Sequence, residues 1–307
     1  MSTKANKPTI SVIVPIFNQE LYLPQCLDSI KNQSFKDFEV LLVDDHSDDS
    51  SVEICRRYCA DDPRFKLLIN DANHGVSYSR NVAMRKASGA YFAFVDSDDY
   101  VSPNYLEKLA KSASTSDMPI CEIAFAFRDK KQPDVIPDEI NPERLRNDLE
   151  IANISGYLVT KLYKASVIRS NKLCFNEAFP LLEDLLFNLQ YMKFIRTIDC
   201  IREPLYYYRM RRGSAVRTSK NLGALYEIEK IFTESGRDAS FANYLILRQQ
   251  ILSLKKQPDF NERFKSFRSS RSLFPRAKRM LVSLGRISPR LALIIHSLTR
   301  QKGKLYD

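Results

Sequence analysis

The chain has 307 residues and a mass of 35.5 kDa, enough for one large domain or a domain with a substantial extension. Its formal net charge of +10 is split unevenly: residues 1–150 carry 18 Lys/Arg against 25 Asp/Glu, and residues 151–307 carry 29 against 12. An acidic N-terminal half with the basic excess confined to the other end argues against a nucleic-acid-binding protein, despite a pI near 9.2.

Taken in chain order, "TISVIVPIF" (9–17), "FEVLLVDD" (38–45), "RFKLLIN" (64–70) and "YFAFVD" (91–96) are short β-branched and aromatic runs that read as strands. Between them, residues 21–31, 51–59 and 77–87 place apolar side chains at helical spacing, as Leu23, Cys26, Leu27 and Ile30 do. Strand–helix alternation of this kind predicts an α/β fold with a mostly parallel sheet flanked by helices. A further helix is expected from near Pro103, and a strand at "ICEIAFAF" (120–127). The following "DKKQPDVIPDEINPER" carries three prolines and reads as a loop or insertion. Helical patterning returns at 161–170 and 183–194, "LYYYRM" (205–210) reads as a strand or a short extended segment, and helices with basic faces follow Lys220.

The six cysteines form no CxxC pair and the three histidines are dispersed, which fits buried thiols in a reducing compartment and no zinc site. "MSTKANKPTI" lacks the apolar core of a signal peptide, and no uncharged apolar run approaches the ~18 residues of a spanning helix. A cytoplasmic, non-spanning protein is expected.

Two predicted strands end in acids: Asp44 and Asp45 after the second, and Asp96, Asp98 and Asp99 after the fourth. Ligands of open parallel sheets bind beyond the carboxyl ends of the strands, where these acids lie. Asp48 and Asp49 read as caps of the helix that follows. One helix needs one cap, so the Asp96–Asp98–Asp99 cluster asks for another partner. The chain has only 8 glycines, and neither GxGxxG after its first strand nor GxxxxGK[ST] occurs, so a Gly-rich phosphate loop is excluded. A hard divalent cation, Mg²⁺ or Mn²⁺, held by carboxylates and binding diphosphate oxygens fits instead.

"SVIVPIFNQE", "CLDSIKNQSFKDFEVLLVDDHSDDS" and "NHGVSYSRNVAMRKASGAYFAFVDSDDY" fall in the order of three blocks of the family 2 glycosyltransferases, which residues 1–217 resemble. The resemblance implies the GT-A-type nucleotide-diphospho-sugar transferase fold, with a donor half over about 1–127 and an acceptor half over about 128–217. It implies that Pro15, Asn18 and Glu20 line the nucleotide pocket, that Asp45 faces the base and that Arg80 sits beside the nucleotide. Asp98 is then the main metal ligand, with Asp96 near the ribose or metal. His46 stands where the family has Gly in its DDGS turn, and histidine tolerates the left-handed backbone expected there.

The same resemblance points to the Glu183–Asp184 pair, with Asp184 as the base that deprotonates the acceptor hydroxyl in a single inverting displacement. Arg209 and Arg212, in "YYYRMRRGSAVR", are candidate partners of the leaving diphosphate. "TKLYKASVI" resembles an acceptor-side segment in which Lys161 could equally be a surface residue. The implied donor is a nucleotide diphosphate sugar and the acceptor a glycan or lipid-linked glycan of cell-surface polysaccharide assembly.

Residues 218–307 are expected to form a basic helical extension. From Asn261 onward, 12 basic residues against Glu262 and Asp307 are interleaved with Phe264, Phe267, Phe274 and Leu291–Ile295. That pattern suits the surface of an anionic membrane, on the inner face of the cell membrane. A nucleotidyltransferase of similar fold is the weaker reading, because "VPIFNQELY" has no glycine.

Overall fold

The computed structural model describes residues 9–127, 130–134, 157–179 and 183–209, with 226 and 230 beyond them. The chain divides into two compact units, Met1–Arg217 and Thr218–Asp307. The basic helices expected after Lys220, and Arg212, lie outside the described residues.

The first unit opens with β1 (Ile10–Ile16), α1 (Leu23–Lys31), β2 (Phe38–Asp44), α2 (Ser51–Asp61), β3 (Phe65–Ile69), α3 (Val76–Lys86) and β4 (Tyr91–Phe94). It continues through β5 (Tyr100–Val101), α4 (Tyr105–Ala113), β6 (Met118–Phe127), β7 (Lys130–Asp134), β8 (Leu162–Lys164), α5 (Ala165–Ser170), α6 (Glu183–Tyr191), a 3₁₀ turn at Met192–Phe194 and β9 (Ile198–Arg209).

One sheet runs β3-β2-β1-β4-β8, parallel except for β8, and a second runs β5-β9-β6-β7. A bridge between Ile120 and Lys161 joins them. Every residue of β1 and β2 is buried, which is why both read as unbroken apolar runs. Alternation within β1 divides the core. Val12 and Val14 face a cluster with Leu23, Cys26 and Leu27 of α1, whereas Ile13 faces Phe92, Phe94, Phe175 and Phe187.

Strand order changes direction at β1, since β2 and β3 lie to one side and β4 to the other. The crevice beyond β1 and β4 is therefore the topological switch point. Val95 N donates to the Ile13 carbonyl, so odd-numbered β1 residues address β4, and the ladder with β4 ends at the Ile13–Phe94 pair. The N–H that Pro15 lacks falls just past that end, where no ladder bond is lost.

Three expectations are corrected. Residues Leu162–Lys164 form an antiparallel strand, because Leu162 and Tyr163 pair with Ala93 and Phe92 and both are buried; Lys161 makes an isolated bridge to Ile120, and only Ala165–Ser170 is helical. A short apolar run does not fix its own period. Within the proline-marked stretch, Lys130–Asp134 is a strand paired with β6, and β9 begins at Ile198 rather than 205. Charged residues and Pro204 hid the first half of β9, which slips register against β6 around Glu122.

Candidate active site

The loops after β1 and β2 fasten to each other mainly through backbone N–H groups. Asp48 N donates to Asn18 Oδ1 at 2.8 Å and Ser50 N to Glu20 Oε2 at 3.1 Å. In return, Asn18 N, Gln19 N and Glu20 N donate to Ser47 Oγ, Ser51 Oγ and Asp49 Oδ2 at 3.0, 2.9 and 3.0 Å. Asp44, fully buried, holds Ser47 through both of its oxygens. Asn18 and His46 have φ of 52° and 65°, the left-handed backbone that this crossing demands. Asn18 and Glu20 thus shape the crevice wall with their side-chain oxygens. Asp49 accepts from Ser51 N at 2.9 Å just before α2, but the N-cap position is Ser50, whose side chain makes no capping bond, so neither Asp48 nor Asp49 is the expected cap.

Asp45, 4% exposed, organises the next loop. Its Oδ1 accepts from Asn70 Nδ2 at 2.8 Å and His74 N at 3.1 Å, and its Oδ2 accepts from Gly75 N at 2.7 Å. Gly75 presents that N–H from a φ of 90°, which a side chain would strain.

The acidic turn after β4 is held from two directions. From β9, the Tyr206 hydroxyl donates to Asp99 Oδ2 at 2.7 Å and accepts from Asp96 N at 3.1 Å. Arg209 N donates to Asp99 Oδ1 and Arg209 Nε to the Asp98 carbonyl, at 2.7 and 2.8 Å. The Arg209 guanidinium also donates to Gln25 and lies over the rings of Tyr22 and Tyr100. Burial, then Asp98 and Asp96, push the Asp99 carboxyl well above the usual range. Asp99 is the structural anchor of the turn.

From α3 comes Arg80, whose side chain is 3% exposed. Its Nη2 donates to Asp96 at 3.0 Å, and its Nη1 donates to Asp184 at 2.6 Å and Glu183 at 3.0 Å. Phe175, stacked on Phe187 at 4.2 Å, supports the guanidinium from 5.3 Å. Burial works against this cation, but Asp184, Asp96 and Glu183 outweigh it and raise the Arg80 pKa. Burial lifts the Asp184 carboxyl well above the usual range; Arg80 opposes this, and Glu183 and Asp96 add to it. One guanidinium cannot neutralise three carboxylates, so Asp184 is left with unusual basicity.

Among the described residues, no three His, Cys, Asp or Glu side chains are grouped to hold a metal ion. Asp96 and Asp98, half-buried on one turn, still fit a hard cation that takes its remaining oxygens from a diphosphate and water, as Mg²⁺ and Mn²⁺ do. Lys161 is a correction. It is 0% exposed, donates to the Tyr157 carbonyl and Thr160 Oγ1, and burial lowers its pKa to about 7.

Sequence reasoning brought Asp96, Arg80 and Asp184 to the site but missed their mutual contact. It also missed Tyr206, Asp99 and Gln25 as the supports of the acidic turn. The alternation of "LYYYR" put Tyr206 and Tyr208 on one strand face, which was the available signal for Tyr206.

The family described as "Glycosyl transferase family 2" matches residues 11–167. EpsH of Bacillus subtilis (strain 168) is 32% identical over 245 residues, covering 74% of this chain and 70% of EpsH. TarS of Staphylococcus aureus, a poly(ribitol-phosphate) beta-N-acetylglucosaminyltransferase, is 31% identical over 207 residues, 66% of this chain but only 35% of TarS. The crystal structure of TarS 1-349 in complex with UDP-GlcNAc matches with a TM-score of 0.68 at 22% identity, covering 97% of this chain and 93% of that one. The mannosyltransferase PcManGT of Pyrobaculum calidifontis, in complex with GDP-Man and Mn²⁺, matches with a TM-score of 0.57 at 15% identity, covering 98% and 89%. These two likenesses speak to the fold, which is of the expected GT-A type.

Proposed function

This chain belongs to glycosyl transferase family 2, and from that premise we propose that it moves one sugar from a nucleoside diphosphate sugar to a hydroxyl of a glycan or lipid-linked glycan, inverting the anomeric centre. The observation that carries this reading is the Arg80 cluster, which sets Asp96, at the switch-point crevice, against Asp184 at the start of α6.

The donor lies in the crevice between the β1–α1 loop, with Pro15, Asn18 and Glu20, and the Asp45 loop, with the base toward Asp45. Asp98, aided by Asp96, would hold a Mg²⁺ or Mn²⁺ ion. When bound, that cation offsets the charge gathering on the diphosphate. Asp184 takes the proton of the acceptor hydroxyl while the hydroxyl oxygen bonds to the anomeric carbon. The bond from that carbon to the β-phosphate oxygen breaks, and the electron pair leaves with the nucleoside diphosphate. Burial raises the Asp184 carboxyl above the usual range, which strengthens it as a proton acceptor. Arg209 supports the acidic turn, and Arg212 is the candidate clamp on the leaving diphosphate.

TarS and PcManGT are described with UDP-GlcNAc and with GDP-Man and Mn²⁺, so uridine and guanosine donors are the first to try. A screen of nucleotide sugars with Mn²⁺ for donor hydrolysis is the test, followed by Asp184→Asn on the active donor. Turnover is expected to fall ~10² to 10⁴ with donor affinity barely changed. Loss of donor binding in step with turnover would place Asp184 in the donor site instead.

Residues 1–217 are the catalytic domain in this proposal, and the basic stretch from Asn261 docks it on the cytoplasmic leaflet where a lipid-linked acceptor resides. Among the described residues, no helix is long and apolar enough to cross a membrane. Co-sedimentation with anionic vesicles is expected to weaken with salt and vanish on truncation before Asn261. Equal binding by truncated and full-length protein would dismiss the tail as anchor.

A further inference from the structure

Arg80 stands beside the nucleotide in the family pattern, yet here its side chain is almost wholly enclosed, with Nη1 donating to Glu183 and Asp184 and Nη2 to Asp96. We infer that Arg80 is a positioning residue that fixes Asp184 relative to the acidic turn, rather than a ligand of the donor. The inference rests on the reading of Asp184 as the base.

Three elements meet at this guanidinium: α3 through Arg80 itself, the end of the adjacent β4 through Asp96, and the distant α6 through Glu183 and Asp184. The planar fork of arginine reaches all of them at fixed angles, which a lysine ammonium cannot do from one point. Its orientation serves the Nη atoms, because Nε is buried and makes no hydrogen bond among the described residues. That cost is accepted where the geometry of the other two nitrogens is what matters. Phe175 under the guanidinium, stacked in turn on Phe187 of α6, fixes the plane. Without Arg80, Asp96, Glu183 and Asp184 would repel one another and Asp184 would swing from its place at the start of α6. A displacement near 1 Å in a reacting group is enough to cost about 10² in rate.

The test is Arg80→Lys, which keeps the charge and removes the fork. With the donor found by the hydrolysis screen, kcat should fall roughly 10- to 100-fold. The Kd of UDP with Mn²⁺, or of GDP with Mn²⁺ if a guanosine donor is active, should move less than about 3-fold by calorimetry. In an Asp184→Asn background the same change should alter turnover less than about 3-fold, because the group through which Arg80 acts is gone. Full turnover by Arg80→Lys would mean that charge alone suffices, and equal losses in kcat and nucleotide affinity would make Arg80 a donor ligand. Either overturns the inference. An active Asp184→Asn enzyme would instead sink the base reading, and the split between kcat and Kd would still judge Arg80. Should Arg80→Lys fail to fold, Glu183→Gln is the second probe, since it loosens one of the two groups on Nη1. Reduced kcat at unchanged nucleotide affinity is then expected, and unchanged kcat would refute a cluster that acts as one unit.

Discussion

The two sides of the crevice are built by different means. The donor side comes from one stretch of about 90 residues, and its β1 and β2 loops are joined largely by backbone N–H groups donating to short polar side chains. The other side gathers Arg80, Glu183 and Asp184 across 103 and 104 residues of chain and is held by buried charge. A wall held by several separate bonds tolerates the loss of one side chain, because its neighbours share the load. A cluster made of ion pairs does not, since removing one partner leaves the others buried and uncompensated. The sharpest way to break this comparison is to remove single groups on each side and see which losses stay local.

The largest effect is expected at the acidic turn. Asp98→Ala, or excess chelator with the wild type, should lower turnover by ~10³ or more, because a cation on the diphosphate contributes several kcal/mol of charge stabilisation. The fold should survive by circular dichroism, since the Asp99 carboxylate, untouched by this change, anchors the turn to Tyr206 and Arg209. Full activity in chelator would remove the metal from the mechanism.

Gly89 probes the sheet beneath the donor side. A Cβ there would stand 2.6 Å from both the Ser11 backbone nitrogen and Ser11 Oγ and 2.9 Å from the Ile10 carbonyl carbon. Backbone cannot yield cheaply, so Gly89→Ala should cost ~1 to 3 kcal/mol in urea unfolding. A cost below ~0.5 kcal/mol would mean that β1 shifts freely under the site.

The contrast between the sides also explains what could be read from the sequence. β1 to β4 and their helices follow from apolar periodicity, because each element's partner is its neighbour in the chain or one step away. The acids at the strand ends were legible because like charges in succession need a reason. Lys161 was not. Nothing local tells a surface lysine from one enclosed where two sheets meet, and the Ile120–Lys161 bridge that encloses it spans elements distant in sequence. Tyr206 and Asp99 escaped for the same reason: their bond spans 107 residues.

Lys161 gives the fold a pH signature. Its pKa is about 7 in the fold against 10.5 for an ordinary lysine. Between those values the unfolded chain binds the extra proton, so stability rises with pH across the window and does not change on this account below it. The slope approaches ~1.4 kcal/mol per pH unit at most. Comparing wild type with Lys161→Met by urea unfolding at pH 7, 8 and 9 isolates it: the difference should grow in favour of wild type as pH rises. A constant difference would mean that Lys161 keeps its proton in the fold.

The smallest effect returns to the donor wall. His46 holds φ at 65° where β-carbon sterics disfavour it, between Asp45, which organises the His74–Gly75 loop, and Ser47, which receives Asn18 N. Glycine adopts this backbone without that penalty but loses more freedom on folding, and the two terms oppose each other. The left-handed strain of a single residue is of order 1 kcal/mol, so His46→Gly should change unfolding free energy by less than ~1 kcal/mol, with stabilisation the expected sign. Turnover should stay within about twofold, because loops tied by several backbone bonds keep their course when one side chain leaves. A large loss of donor affinity in a stable His46→Gly variant would make the imidazole a donor contact, and the donor wall would then depend on individual side chains as the acceptor side does.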